Sequence, residues 1–218
     1  PSICSSRGLK NMVTMYIGGG LANKMFQYAF SLAIKKKGYD VVYDTITFKT
    51  EFVHDRVELD DIFPNVNMNK ISKSDYWAAG KQNKLARLVK RISPKYITEH
   101  AYLFNDKVWE QIKPTCYLES SWQDENYFVS AANEVRQAFA FPPFENKRNV
   151  EVAQAMASSN SVAIHIRKGD GYGTWNIFSN TCPKEYYDQA LGYIKEHVEN
   201  PRFFIFTDCP DVVKEYLD

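Results

Sequence analysis

Residues 13–44 limit the possible folds more tightly than any other stretch. Val13 to Ile17 (VTMYI) reads as a short apolar strand, Gly18 to Gly20 as a tight turn, Ala22 to Lys37 as a helix, and Asp40 to Asp44 (DVVYD) as a second strand. Connections this short leave the two strands parallel in one sheet, with the helix crossing its face. Leu21, Met25, Tyr28, Ala29 and Leu32 recur at helical spacing and mark the face that packs. Lys35, Lys36 and Lys37 end the helix as its dipole favours, and Gly38 stops it. The expected class is α/β with mainly parallel sheets.

The rest of the chain keeps that alternation. Leu59 to Phe63 reads as a short helix or turn, Ser74 to Arg91 as mostly helical, and Tyr96 to Glu99 and Cys116 to Glu119 as strands. Asn126 to Phe139 is expected to form an amphipathic helix with Tyr127, Phe128, Ala131, Val135 and Phe139 on its apolar side. Pro142-Pro143 then breaks the chain, which places a domain boundary at residues 141–147. Beyond it come a helix over Val150 to Ser158, a strand over Ser161 to Ile166, a long loop, a helix over Pro183 to Glu199, a strand over Phe203 to Thr207 and a helix over Asp211 to Leu217. The expected division is a 1–11 extension or appended remnant, a first domain over 12–143 and a second over 144–218. Two strands are too few for a doubly wound domain, so the second half is expected to be incomplete on its C-terminal side.

Composition restricts the partners. With 27 Lys+Arg against 26 Asp+Glu, no global field favours nucleic acid or an anionic membrane, and any anion site must be local. Lys81 to Lys95 (KQNKLARLVKRISPK) is the one basic excess, read either as a solvated helix face or as a dock for an anionic surface. No stretch approaches the roughly 20 apolar residues of a membrane span. Membrane association is therefore expected to be peripheral at most. Cys4, Cys116, Cys182 and Cys209 are far apart with no metal-type spacing. Two disulfides in a secreted protein are one reading; free thiols in a reducing compartment are preferred, because a chain of this size needs no stapling.

Ser161 to Asp170 (SVAIHIRKGD) ends an apolar strand in a knot of charge. Side chains alternate along a strand, so Val162, Ile164 and Ile166 share one face while His165 and Arg167 emerge together on the other. They do so at the carboxyl end of a strand, where ligands bind in open α/β sheets. Arg167 can grip a phosphate with two parallel bonds, Lys168 adds charge, and Asp170 can orient a basic neighbour. A surface ion pair beside a packed histidine is the plain alternative. The glycine-punctuated aromatic loop that follows, with Tyr172 and Trp175, reads as a flap over such a site.

Gly18 to Tyr28 (GGGLANKMFQY) matches neither a dinucleotide fingerprint nor a P-loop. It offers backbone at Gly19 and Gly20 that a ligand can approach closely, and a helix whose early turns carry Asn23 and Gln27. Asn23 is either a local cap or part of a polar cleft wall.

Together, GGLANKMFQYAF and HIRKGD resemble the inverting fucosyltransferases of the α-1,2 family, glycosyltransferase family 11. That family shares its charged H-x-R-R-x-D motif with the α-1,6 and protein O-fucosyltransferases. CYLESSWQDENYF, PKEYYDQALGYI and FFIFTD fit the same pattern in order and spacing, so the likeness runs from Met12 to the end. The resemblance implies a GT-B-like fold of two Rossmann-like halves, with a GDP-fucose donor held by the second half and an acceptor-side first half. It further implies metal-independent, inverting transfer of L-fucose to the 2-hydroxyl of a galactose-like glycan in the cytoplasm. By the same resemblance Arg167 binds the donor diphosphate and His165 lies beside the nucleotide. Asp208 matches an acidic position near it, and the Asn23 turn faces the cleft. No cofactor is implied, and the sequence has no D-x-D metal motif, so Arg167 and Lys168 would take the charge of the leaving diphosphate.

Departures from the pattern are Ala22 for a glycine, Lys24 for a glutamine, Lys168 for the second arginine and Cys209 for a second acid. Lysine keeps the charge of an arginine but loses its planar fork. Two alternatives follow from the residues: a transferase of another linkage or nucleotide sugar, and a non-catalytic module that binds phosphate or a protein.

Overall fold

The computed structural model describes residues 11–46, 57–71, 96–99, 103–168 and 182–217. The chain forms two compact units, residues 1–142 and 143–218, divided at Pro142-Pro143.

The first unit is a parallel sheet with helices against it. Strand β1 (Met12–Tyr16) leads through the glycine turn into α1 (Leu21–Lys36) and then β2 (Asp40–Asp44), which pairs in parallel with β1 from Met12↔Asp40 to Tyr16↔Asp44. After α2 (Leu59–Ile62), the chain adds β3 (Tyr96–Ile97), α3 (Lys107–Gln111) and β4 (Tyr117–Leu118) on the other side of β1. The sheet order is β2-β1-β4-β3, with every pairing parallel. Strands β3 and β4 are shorter than their apolar runs: of those runs only Tyr96–Ile97 and Tyr117–Leu118 take ladder geometry.

Helix α1 buries a wider face than its apolar stripe predicts. Leu21, Met25 and Leu32 are only partly buried, whereas Gln27, Phe30, Ser31 and Ile34 are fully so. The cause is cover on several sides: the sheet, α2 and the segment after residue 125 all pack on this helix. Phe30 lies against Trp109, Trp122 and Tyr127 with ring centroids 5.0–5.1 Å apart, a geometry that adds to simple area burial.

The helix expected over Asn126 to Phe139 is reduced to α4 (Ala132–Ala138), preceded by two 3-10 turns at Glu125–Tyr127 and Val129–Ala131. Asp124 starts the first turn, its carboxylate accepting from the amides of Asn126 at 2.9 Å and Phe104 at 2.8 Å. The Tyr127 hydroxyl accepts from the Asn105 amide at 3.0 Å, and its ring fills the core beside Phe104. Those anchors break the helix at Phe128 (φ −134°, ψ 12°).

The second unit contains α5 (Lys147–Ala157), β5 (Asn160–Ile166), α6 (Lys184–His197), β6 (Pro201–Thr207), a 3-10 turn and α7 (Val213–Tyr216). The Asn146 side chain caps α5 by accepting from the amides of Arg148 and Asn149. Strands β5 and β6 are parallel and in register from Asn160↔Pro201 to Ile166↔Thr207. Ile164, Ile166 and Tyr187 form the buried centre, with Leu191, Phe203, Val213 and Tyr216 packed around them. The helix expected over 211–217 is one α turn, because Pro210 opens a 3-10 turn ahead of it.

Candidate functional site

Strand alternation holds in β5 as read from the sequence. Ile164 and Ile166 are buried, and His165 and Arg167 are exposed on the opposite face. The backbone carbonyl of His165 accepts from the Tyr187 hydroxyl at 3.0 Å, so α6 fixes the height at which the strand ends. Burial raises the Tyr187 phenol above its ordinary range.

Asp208, one residue past β6, closes the strand end. Its Oδ1 accepts from the Lys168 amide at 3.0 Å and its Oδ2 lies 3.9 Å from Arg167 Nε. Lys168 Nζ stands over the Tyr216 ring at 5.0 Å, within cation–π reach. In-register pairing of β5 with β6 thus brings Arg167, Lys168 and Asp208 together across 40 residues of sequence. The result is two cationic side chains at the carboxyl edge of a parallel pair, a geometry suited to an anionic ligand. Asp170 and Tyr172 lie outside the described residues, as do the expected flap, the helix over 74–91 and the basic stretch 81–95.

In the first unit the glycine turn occupies the corresponding edge. A Cβ on Gly18 would sit 2.2 Å from the Tyr16 hydroxyl oxygen, so that side chain would have to move, and Gly19 has φ +83°, left-handed backbone that favours glycine. Gly20 begins α1 without any side-chain cap, and no acidic residue stands in the first turn. Asn23 is therefore not a local cap; its Oδ1 accepts from Gln123 Nε2 in the loop after β4. Gln27 is 2% exposed and braces the turn, with Oε1 accepting from the Gly18 amide at 2.9 Å and Nε2 donating to the Ser120 carbonyl at 3.1 Å. Lys24, 3% exposed, donates to the Val57 carbonyl at 2.6 Å.

The chain leaves β1 toward β2 on one side and places β4 on the other, so β1 and β4 flank the switch point where α/β sheets open a ligand crevice. Asn23, Gln27, Ser120 and Gln123 all meet there. Gln123 and Ser120 were not legible as site residues: they reach the turn through contacts across about a hundred residues, and only their place in the SSWQDENYF segment hinted at a role.

Carboxylates surround the neighbouring tyrosines. Asp44 is fully buried and accepts from the Tyr117 hydroxyl at 2.8 Å and the Ile46 amide at 3.1 Å. Burial first, and then the charges of Glu119 and Asp44, push the Tyr16 phenol up to about 12. Among the described residues, no three His, Cys, Asp or Glu side chains are grouped to hold a metal ion. Cys116, Cys182 and Cys209 are free thiols, and no described helix is long and apolar enough to cross a membrane.

The sequence profile of glycosyl transferase family 11 matches residues 3–218. An alpha-1,2-colitosyltransferase of Escherichia coli is 27% identical over 225 residues, covering 94% of this chain and 72% of its own length. A parallel α/β chain with a cationic strand end and a glycine turn, matched along nearly its whole length, belongs to glycosyl transferase family 11.

Proposed function

We propose that this glycosyltransferase moves L-fucose from GDP-β-L-fucose to the 2-hydroxyl of a galactose-like acceptor, with inversion and without a metal ion. The observation that carries the reading is the end of β5, where Asp208 ties Lys168 and Arg167 together at the carboxyl edge of the β5–β6 pair. When the sugar leaves, negative charge grows on the diphosphate, and preorganised cations lower the barrier by meeting that charge. Arg167 supplies the diphosphate contact, Lys168 adds charge, and His165 on the same face stands beside the nucleotide. The first unit supplies the acceptor side, and the two units are the Rossmann-like halves of a GT-B architecture. The free thiols suit the cytoplasm as the place of action.

A second donor is favoured by one specific finding: the relative from Escherichia coli is named for transfer of colitose. Both readings use the same strand end and differ in the sugar that is moved.

The test is turnover of GDP-fucose, GDP-mannose, UDP-galactose and a nucleotide-linked colitose by the full-length protein with a galactoside acceptor, with product linkage read by NMR. The expected product carries α-1,2-linked fucose and forms at an unchanged rate in excess EDTA. Turnover of the colitose donor alone would transfer the conclusion to the second reading. No turnover of any nucleotide sugar would remove both.

A further inference from the structure

A pair of neutral amides stands by the carboxyl ends of β1 and β4, the place where α/β sheets bind ligands. Asn23 on the first turn of α1 and Gln123 in the loop after β4 bond to each other, and both are half-buried. That bond uses one carbonyl and one N–H. Whichever way round the two amides stand, the pair keeps one carbonyl and further N–H donors for a third group. A hydroxyl needs both an acceptor and a donor, and a sugar hydroxyl is the common biological group that presents them without charge.

Beside the glycine turn, the charges of Glu119 and Asp44 add to burial in raising the Tyr16 phenol, and Lys24, the cation on the first turn of α1, is buried and bonded to the Val57 carbonyl. The cationic groups that suit a diphosphate, Arg167 and Lys168, belong to the other unit.

The segment that delivers Gln123 carries strain and an unpaired donor. Trp122 has φ +53°, left-handed backbone that a bulky residue adopts only under strain. Its ring is 2% exposed, packed on Phe30 and Tyr127, and its buried indole Nε1 has no hydrogen-bond partner. Costs of this kind persist where the rest of the structure overdetermines them, and they cluster at ligand sites. Here the anchored indole and the Gln27 brace fix the two backbones from which Asn23 and Gln123 project.

We propose that the Asn23–Gln123 amide pair reads the acceptor: it receives a neutral hydroxyl of the glycan to which the sugar is transferred. This rests on the glycosyl-transfer reading above and adds the place and chemistry of acceptor recognition. Gln123 is thereby a specificity-determining residue.

Gln123→Leu in the full-length protein tests it. One neutral hydrogen bond is lost, so the acceptor KM rises about five- to tenfold while kcat changes less. The GDP dissociation constant from calorimetry stays at the wild-type value, and the melting temperature falls only by what the half-buried bond to Asn23 contributes. Gln123→Asn retains the amide but is one methylene short of Asn23, and it gives the same split should the leucine variant fail to fold. Saturation-transfer NMR with lactose and an N-acetylgalactosamine-terminated disaccharide needs no donor: the wild-type signal weakens in the variants even if the donor is not GDP-fucose. A weakened GDP affinity with unchanged acceptor KM would assign the pair to the donor sugar and overturn the proposal. Unchanged values for both ligands, or no binding of either sugar by the wild-type protein, would overturn it as well.

Discussion

Asp208 is joined to the end of β5 twice, through the Lys168 amide at 3.0 Å and toward Arg167 Nε at 3.9 Å. An acid beside a diphosphate site has two opposed effects. Its charge repels the ligand, by at most about 1 kcal/mol at an exposed position. Its hydrogen bond to the backbone, worth roughly 1.5–3 kcal/mol with a charged acceptor, holds the cationic residues in place. The clamp outweighs the repulsion, so Asp208→Ala is expected to weaken GDP binding about tenfold by calorimetry. Asp208→Asn keeps an oxygen for the Lys168 amide while losing the repulsion, and is expected to bind GDP at least as well as wild type. The reverse order of the two variants would show that Asp208 acts through its charge on the ligand. Arg167→Ala is expected to abolish GDP binding with an unchanged circular dichroism spectrum, and unaltered affinity would make that arginine structural. At this scale the sequence was informative for residues on one strand, since alternation alone put His165 and Arg167 on one face. It was silent on Asp208 as a clamp, because register between β5 and β6 is a tertiary fact.

Among the elements, β1 and α1 were nearly complete in the sequence, and the segment after Trp122 was not. Periodicity finds Tyr127 and Ala131 but cannot see that the Asp124 carboxylate and the Asn105 amide take hold of the first turn and make it 3-10. The same blindness hid the work of Gln27, which looks like a polar residue on a helix face yet is buried as a brace. Gln27→Leu would leave the Gly18 amide and the Ser120 carbonyl without their partner, a loss of roughly 1–3 kcal/mol in urea unfolding. Stability unchanged within error would show that water replaces the amide. The β1–β2–α1 layer also predicts an alkaline limit. Tyr16 is pushed up to about 12, and burial holds Tyr43 and Tyr28 above the ordinary phenol as well. In the unfolded chain these groups ionise near about 10, so the folded state holds their protons more tightly. Their contribution is whole below about pH 10 and is lost as pH climbs toward about 12. The urea midpoint is expected to be flat from about pH 8 to 9.5 and to fall by about pH 11, less steeply in Tyr16→Phe; a midpoint that holds to about pH 11 would contradict this assignment.

On the scale of the whole chain, the two units differ in how much each buries. The first packs Met15, Phe30, Ile34, Tyr43, Phe63 and Tyr127 into one continuous core, whereas the second has Ile164, Ile166 and Tyr187 as its buried centre among the described residues. Ile205 and Phe206 on β6 remain 47% and 46% exposed. Because apolar burial is the main force favouring the folded state and local opening follows its distribution, the units should not open together. Amide hydrogen exchange is expected to be slower by more than a decade for β1 and β2 than for β5 and β6 in the ligand-free protein. GDP should then slow exchange in β5 and the start of the 208–212 turn and leave β2 untouched, since a ligand stabilises the unit that holds it. Equal protection of all four strands before GDP is added would show the two units to be one cooperative body. Protection gained by β2 rather than β5 would place the nucleotide on the glycine-turn unit and reverse the roles assigned to the two halves.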